Sequence, residues 1–300
     1  MRDLPYYIAQ PKIDAHNHLN LGMHYTAYLA WSGHAIPNFP RPMKGLDEMH
    51  DIISRYTRPR CKTSDDVVSL VEMSINDAIA DGVTILEGSI DIGFMVHFKQ
   101  DTDKFLRMVA DFSTRYTGKI DMRPELGLGK TFDKQKIKKW APELLESRLF
   151  KSIDLYGPEI EEGIEDFEYL FKLASKLGIK KKAHVGEFSD AHSVRRFVEY
   201  FDLDEVQHGI GAAGDESVLR FLADRRTRCN VCPQSNVMLG AVSSLKQHPV
   251  KKMLDAGVEV TIGTDDLIFF DRSVSEQIFD LVQDGVITEA DADRILATGI

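Results

Sequence analysis

Short runs of β-branched and other apolar residues alternate along this chain with longer segments in which apolar residues recur at helical spacing. The short runs predict eight strands, at residues 12–16, 83–87, 121–127, 150–155, 179–184, 205–208, 228–232 and 259–263. Strands that alternate with helices form a parallel sheet, because each crossover helix returns the chain to the edge where the last strand began. Eight such units predict an α/β fold whose sheet closes as a (β/α)8 TIM barrel.

The intervals between these runs carry helix signals. Thr63-Ser64-Asp65-Asp66 resembles a capping box, and the apolar residues that follow recur every three or four positions until Gly82. Similar apolar faces run from Ile160 to Leu177 and over residues 245–254, and each is followed by a glycine. Glycine commonly ends a helix, so these segments predict helices that cover the sheet.

The interval after the first predicted strand is longer than a single connection needs. A helix is predicted within it at residues 43–56, and its aromatic residues are Tyr25, Tyr28, Trp31 and Phe39. An insertion at this point follows the carboxyl end of a barrel strand, where active sites lie. We therefore expect residues 20–62 to form a helical lid over the barrel mouth, within one domain that spans residues 1–300. The alternative is a surface excursion without a role at the site.

Composition narrows the functional classes. The chain has 300 residues, of which 43% are hydrophobic and 28% are charged, as is usual for a soluble globular protein. A net charge of −10 argues against a nucleic-acid partner, and no apolar run is long enough to cross a membrane. Three cysteines and an N-terminus without a secretory signal predict a cytoplasmic protein. The oligomeric state is left open.

Four polar motifs stand at the ends of predicted strands. They are Asp14-Ala15-His16-Asn17-His18, Lys182-Ala183-His184-Val185-Gly186-Glu187, Gln207-His208-Gly209 and Gly263-Thr264-Asp265-Asp266. Residues two apart in a strand project to the same side, so His16 and His18 point together. Zinc binds imidazole nitrogens and carboxylate oxygens, and a catalytic zinc keeps one position open for water. Each motif alone could be structural, but together at one end of a barrel they predict a metal-dependent active site.

Two further motifs complete a family resemblance. Asp154-Leu155-Tyr156-Gly157-Pro158-Glu159 follows the fourth predicted strand, and Cys232-Pro233-Gln234-Ser235-Asn236 follows the seventh. With the four motifs above, they resemble the adenosine/AMP deaminase branch of the metal-dependent amidohydrolases, over residues 11–270. This resemblance implies hydrolytic deamination of a 6-aminopurine nucleoside, which is a small-molecule partner, to the 6-oxo purine and ammonia. The reaction would use a zinc-activated water.

The same resemblance implies roles for individual residues. The ligands of one zinc ion, or of another divalent metal, would be His16, His18, His184 and Asp265. The catalytic residues would be Glu187, His208, Asp265 and Asp266. Glu187 would protonate the purine ring, which requires a carboxyl that burial keeps protonated. His208 would orient the water and take its proton. The substrate would be bound by Asn20, Gly157 and Asp266.

The chain departs from the family pattern after His18. Leu19-Asn20-Leu21-Gly22 stands where the family commonly has Leu-Asp-Gly or Leu-Glu-Gly. We expect the neutral Asn20 to hydrogen-bond a ribose hydroxyl. Because the aromatic residues of the lid favour an uncharged substituent, nucleosides rank above nucleotides and free adenine as substrates.

Two other functions compete with deamination of a purine. A different amidohydrolase with two metal ions would need a bridging Lys or Glu at the end of the fourth predicted strand, where Gly157 follows instead. A barrel that only binds a nucleoside would not need the acid Glu187 beside a metal. Cys229 and Cys232 are interpreted as strand core, and Pro124 argues against a phosphate loop at residues 127–131. Six further histidines are expected at the surface, namely His24, His34, His50, His97, His192 and His248.

Overall fold

One parallel sheet contains all nine strands of residues 2–159 and 162–300, the part of the chain that the computed structural model describes. The strands are β1 (Lys12–His18), β2 (Val83–Asp91), β3 (Asp121–Met122), β4 (Glu125–Gly129), β5 (Ser152–Tyr156), β6 (Lys180–Val185), β7 (Glu205–His208), β8 (Arg228–Val231) and β9 (Val260–Ile262). Their order is β1-β2-β4-β5-β6-β7-β8-β9, and β3 also pairs with β2. The predicted third strand is thus divided around Pro124, because proline has no N–H to donate to a neighbouring strand.

Contacts between the first and last strands close the sheet into a barrel. The Asp265 N–H donates to the His16 carbonyl at 2.7 Å, and the His18 N–H donates to the Asp265 carbonyl at 3.4 Å. The Asp14 carboxylate accepts hydrogen bonds from the Thr264 N–H at 3.2 Å and the Thr264 hydroxyl at 2.6 Å. The predicted (β/α)8 TIM barrel is confirmed.

Helices lie around the outside of the barrel and at the carboxyl ends of its strands. They are α1 (Leu4–Ala9), α2 (Tyr25–Ser32), α3 (Leu46–Ile52), α4 (Ser64–Ala80), α5 (Thr102–Arg115), α6 (Lys134–Glu146), α7 (Glu168–Leu177), α8 (Ala191–Phe201), α9 (Glu216–Arg225), α10 (Pro233–Met238), α11 (Val250–Asp255), α12 (Leu267–Phe270), α13 (Val274–Gln283) and α14 (Glu289–Ala297). Thr63 and Asp66 form the predicted capping box of α4. Ile160, the first residue of one predicted helical face, lies outside the described residues. No helix in the described ranges is long and apolar enough to cross a membrane.

The segment after β1 builds a small core of its own. Tyr28 and Met43 are buried there with Phe269 and Phe270, which follow β9. The predicted helix at 43–56 begins only at Leu46, because Gly45 has a φ of 81° that a helix cannot include. After α3 the chain continues through a short π-helix at Ile53–Thr57 and a 3₁₀ turn at Arg58–Arg60.

Charged side chains fill the inside of the barrel beneath the carboxyl ends of the strands. The Lys182 ammonium lies 2.7 Å from a Glu87 oxygen and 2.9 Å from a Glu125 oxygen. The Arg228 guanidinium lies 2.6 Å from Glu205 and 2.7 Å from Glu87. We call these five residues the interior charge layer; all five are buried. Their acids and bases compensate each other, as buried charges must.

Candidate active site

The carboxyl ends of the strands surround a cavity of about 660 Å³. Its lining includes most of the predicted site residues, namely His18, Asn20, Gly157, His184, Glu187, His208, Asp265 and Asp266. His16 lies directly behind, with its Nε2 3.0 Å from Nε2 of His184. The structure therefore brings the predicted residues together in one place.

Three histidines and one aspartate converge at the floor of this cavity. Besides the 3.0 Å contact of His16 with His184, Oδ1 of Asp265 lies 3.5 Å from Nε2 of His18 and 3.7 Å from Nε2 of His16. One ligand atom from each of His16, His18 and His184 falls within 4.8 Å of the other two. Imidazole and carboxylate groups at this spacing are the usual donors to zinc.

The hydrogen bonds made by Nδ1 of His16 and of His184 show whether these residues fit a metal ion. Nδ1 of His16 lies 3.3 Å from the Asn230 carbonyl oxygen, and Nδ1 of His184 lies 3.2 Å from an Asp154 oxygen. Both partners are acceptors, so Nδ1 of each ring is the donor and Nε2 of each ring faces the other across 3.0 Å. The two Nε2 atoms are thus placed to give their lone pairs to one cation. Partners of this kind commonly orient metal-binding histidines, so the residues fit a metal ion.

The backbone around Asp265, the fourth predicted ligand, is constrained. Asp265 has a φ of 57°, in the left-handed region, and its Oδ2 accepts a hydrogen bond from the Ser235 hydroxyl at 2.7 Å. Gly263 packs so closely against His16, a predicted ligand, that an added Cβ would lie 2.6 Å from Cβ of His16. A side chain at position 263 would therefore displace His16.

Glu187 is a buried acid held beside this cluster by its own loop. The Glu159 carboxylate accepts hydrogen bonds from three successive backbone N–H groups, those of Glu187, Phe188 and Ser189, at 2.7, 3.0 and 2.7 Å. Burial raises the pKa of the Glu187 carboxyl well above its usual range, and the negative charges of Asp265 and Glu159 raise it further. These surroundings favour the protonated form of Glu187, the form that the predicted role of proton donor requires.

His208 faces Glu187 across the cavity. Its Nε2 lies 3.5 Å from Oε2 of Glu187 and 3.9 Å from Oδ2 of Asp265. The residue has a φ of 65°, a strained backbone of the kind that collects at functional sites. Burial lowers the pKa of its imidazole well below the usual value, and the rings of His16 and His184 add to that effect. His208 is therefore a neutral imidazole in this site.

Asp266 presents an unused oxygen to the cavity. Its Oδ1 is buried and has no hydrogen-bond partner among the described residues, and burial raises the pKa of its carboxyl to about 7. An unpaired buried polar atom costs stability, so a ligand group is the natural partner. Gly157, with a φ of 108°, and Asn20 line the same cavity.

Comparisons with known proteins show the family of this chain. The adenosine deaminase family model matches residues 45–298. The chain belongs to the adenosine deaminase family. It is 60% identical over 297 residues to a putative adenosine/adenine deaminase of Treponema pallidum (strain Nichols), with 99% of each chain covered. Membership in this family supports a metal-dependent hydrolase that acts on C–N bonds.

Solved structures of similar shape support the fold. An adenine deaminase from Arthrobacter aurescens matches with a TM-score of 0.83 at 20% identity, covering 96% of this chain and 92% of that one. An amidohydrolase from Burkhoderia ambifaria, solved with bound Zn, matches with a TM-score of 0.82 at 20% identity, covering 98% and 85%. At this identity the likeness shows the shared barrel.

The outer part of the cavity differs from the sequence prediction. Leu46, Met49, His50, Ile53 and Arg58 line it from the segment after β1. The aromatic residues expected there pack instead into the small core with Phe269 and Phe270, namely Tyr25, Tyr28, Trp31 and Phe39. Large apolar rings gain more from burial than from facing a wet cavity. Whether residues 20–62 act as a lid stays a prediction.

One of the histidines expected at the surface, His248, is instead buried, with 4% of its surface exposed. His50 and His97 line the cavity; His50 is exposed, as expected, and His97 is half-buried. His248 forms hydrogen bonds to Asn236 and Val250. No local pattern distinguishes such a histidine, because its burial depends on how α11 packs.

Sequence reasoning also missed several polar contacts. Four residues stood in the quoted motifs without an assigned role, and each forms a hydrogen bond to a predicted ligand or a predicted catalytic residue, namely Asp154, Glu159, Ser235 and Asn236. Asp91 lines the cavity at the end of β2. An acidic residue that ends an apolar strand, the signal used for Asp265, could have identified it. Cys232, interpreted as strand core, lies at the start of α10 with its sulfur 3.2 Å from Nδ1 of His16.

Proposed function

We propose that this protein hydrolyses the exocyclic C–N bond of a 6-aminopurine nucleoside and releases ammonia. One observation carries the proposal: Glu187, an acid that burial keeps protonated, stands in the same cavity as a metal-binding cluster. A proton donor beside a metal site is what the addition of water to an aromatic amidine needs.

The residues divide the reaction between them. His16, His18, His184 and Asp265 would hold one zinc ion, whose chemistry is to activate water near neutral pH. Glu187 gives its proton to the ring nitrogen beside the attacked carbon, while the water oxygen bonds to that carbon. His208 orients the water. The C–N bond then breaks. The ring nitrogen keeps the proton that Glu187 gave it, one proton of the water leaves with the amino group as ammonia, and the other returns to Glu187.

Substrate recognition rests on the rest of the cavity. The unpartnered Asp266 Oδ1 and the Gly157 N–H are suited to the two halves of a purine, and Asn20 is suited to a ribose hydroxyl. A cavity of about 660 Å³ lies within the usual range for small-molecule sites, about 300–1,000 Å³, so it accommodates a sugar as well as a base.

A nucleotide is a second candidate substrate on one specific observation. The Arg58 guanidinium lines the outer cavity and has no ion pair or hydrogen bond among the described residues. The aromatic side chains of the segment after β1 pack with Phe269 and Phe270 and do not line the outer cavity, so they do not argue against a phosphate group there. AMP therefore belongs beside adenosine in the substrate panel.

Two other functions predict different outcomes. A two-metal hydrolase would need a second cluster or a bridging group, whereas every cluster of possible metal ligands in the described residues belongs to this one site. A barrel that only binds nucleosides would have no use for a protonated Glu187.

The test is ammonia release by the metal-replete protein. Adenosine, 5′-substituted adenosines, AMP, adenine and cytidine are each incubated with it, and the 6-oxo product is identified by absorbance. We expect turnover of adenosine or a close relative. Turnover of cytidine alone, or of no aminopurine, would contradict the proposal. A larger kcat/KM for AMP than for adenosine would select the nucleotide.

A further inference from the structure

The side chain of Asn236 lies between the two predicted catalytic residues, Glu187 and His208, on one side and a third residue, His248, on the other. Its Nδ2 is 3.2 Å from Oε1 of Glu187 and 3.2 Å from Nδ1 of His208. Its Oδ1 is 3.2 Å from Nε2 of His248. All four residues are buried, and His248 is absent from the lining of the cavity. One side chain amide thus joins His248 to both catalytic groups.

The positions of the protons in this series of hydrogen bonds follow from the residue at its outer end, His248. The backbone N–H of Val250 points at Nδ1 of His248 over 3.2 Å, and a backbone N–H can only donate. Nδ1 of His248 therefore carries a lone pair. A neutral imidazole has one proton, so this proton is on Nε2 and is donated to Asn236. Burial lowers the pKa of His248 to about 3, which keeps the ring neutral.

The orientation of the Asn236 amide follows from that donor. Its oxygen must face His248, so its NH₂ group faces the active site and has two protons to give. One goes to Oε1 of Glu187 and the other to Nδ1 of His208. We propose that His248 is a positioning residue, which acts through Asn236 to place the proton of Glu187 on Oε2 and the proton of neutral His208 on Nε2.

This placement matters for the chemistry, and here the inference rests on the proposed function. Oε2 of Glu187 and Nε2 of His208 are the two atoms that approach each other at 3.5 Å. With Oε1 occupied by Asn236, the proton of Glu187 is on the oxygen nearer to His208. With Nδ1 occupied, His208 meets the water as a donor through Nε2. It then orients the water oxygen instead of taking a proton from it.

A purely structural role for His248 makes a different prediction. Val250 begins α11, so the Val250–His248 hydrogen bond could serve only to hold the start of that helix. Loss of either hydrogen bond of His248 would then affect stability to a similar degree and leave turnover unchanged. The two hydrogen bonds of the His248 ring can be removed one at a time, which allows a direct test.

A matched pair of variants removes these two hydrogen bonds separately. In His248→Gln the side chain NH₂ occupies the place of Nε2, so it keeps the donor to Asn236 and loses the acceptor for Val250. In His248→Asn the side chain oxygen occupies the place of Nδ1, so it keeps the acceptor and loses the donor. Metal content is measured for both variants, and kcat and KM are measured on the best substrate of the panel.

We expect His248→Asn to lose about 10–100-fold in kcat, the usual effect of removing an outer partner from a site, with KM and metal content unchanged. His248→Gln should retain most of the wild-type kcat. Wild-type turnover in His248→Asn, or equal losses in both variants, would overturn the proposal.

Nitrogen-15 NMR of the histidine rings gives a second measurement that does not depend on turnover or on how the His248 variants fold. In the wild-type, metal-replete protein we expect neutral His208 with its proton on Nε2, identified as the signal missing from His208→Gln. A proton on Nδ1 would refute the inference. If the wild-type protein deaminates nothing, the proposed function fails, and the ring signal still decides where the proton lies.

Discussion

The protonation of Glu187 is set by residues that are far apart in the sequence. Asp265 and Glu159 both contribute negative charge beside it, and Asn236 occupies one of its oxygens. A carboxyl in such surroundings can deliver a proton at neutral pH, whereas an exposed glutamate would already have lost it.

Glu187→Gln should keep its metal and lose about 10²–10⁴-fold in kcat, the usual contribution of acid–base catalysis. The wild-type pH profile carries a second signature. Because the pKa of Glu187 is raised, activity is present while the carboxyl is protonated and is lost as the pH rises through that pKa. Steady-state kinetics across pH, with elemental analysis of both proteins, checks this. Wild-type turnover in the glutamine variant would remove Glu187 from the mechanism.

Asn20 is a second residue whose effect is local. If it faces the ribose, Asn20→Asp restores a charged acceptor for a sugar hydroxyl. We expect kcat/KM to rise for adenosine more than for adenine, since adenine has no sugar. The ratio of the two values in variant and wild type is the measurement, and adenine serves as the internal control. An equal change for both substrates would place Asn20 away from the sugar.

At the scale of elements, the site depends on how β1 meets β9. His16 and His18 come from β1, and Asp265 follows β9, so three of the proposed ligands lie across the closing contact of the barrel. Asp14 secures this contact: its carboxylate accepts hydrogen bonds from Thr264, from the Asn17 side chain at 3.2 Å and from the His16 N–H at 3.3 Å.

Asp14→Ala should therefore weaken both the fold and the metal site. It leaves the buried Thr264 N–H and the Thr264 hydroxyl proton without an acceptor, at about 1–3 kcal/mol for each group. We expect the free energy of unfolding in urea to fall by several times the effect of Asp224→Ala, an exposed control that should stay within about 0.5 kcal/mol. Metal affinity should fall with it. Equal stability of the two variants would show that this contact does not secure the barrel.

At the scale of the whole molecule, the interior charge layer joins strands from around the barrel. Lys182 on β6 contacts Glu87 on β2 and Glu125 on β4, while Arg228 on β8 contacts Glu87 and Glu205. Burial raises the pKa of Glu125 to about 7 despite the nearby ammonium of Lys182. The layer is thus close to balance, and removal of one cation leaves acids uncompensated.

Lys182→Met should cost about 3–5 kcal/mol of stability, because it breaks a buried ion network from one side. Lys172→Met is the matched control: Lys172 is exposed and pairs with Glu168 at the surface, which is worth at most about 1 kcal/mol. Denaturant unfolding of both variants gives the comparison. A Lys182→Met protein as stable as the control would mean that the acids take up protons at little cost.

Metal removal is the second test of the whole molecule. His16 and His184 converge with their Nε2 atoms 3.0 Å apart, and a metal that binds only the folded state stabilises it. We expect a chelator to lower Tm, zinc to restore it, and elemental analysis to give one metal per chain. His16→Ala should lose metal and activity together. Two tightly held metals per chain, or none after metal-replete expression, would rule out this site.

Local patterns determined much of this protein. Strand runs that end in polar residues, capping signals such as Thr63 with Asp66, and alternation along β1 depend only on neighbours in the sequence. They therefore sufficed to predict the barrel and the positions of His16, His18, His184, Asp265 and Asp266 at its mouth.

Tertiary structure decided what depends on contacts between distant segments. The aromatic residues after β1 pack with Phe269 and Phe270, and not in the cavity, because both segments had to meet before that core existed. The burial of His248 depends on how α11 packs against the barrel, and its partner Asn236 belongs to α10. A hydrogen bond between two such residues forms only when their segments are packed in one particular arrangement. A sequence pattern specifies which side chains are available, while packing specifies which of them meet.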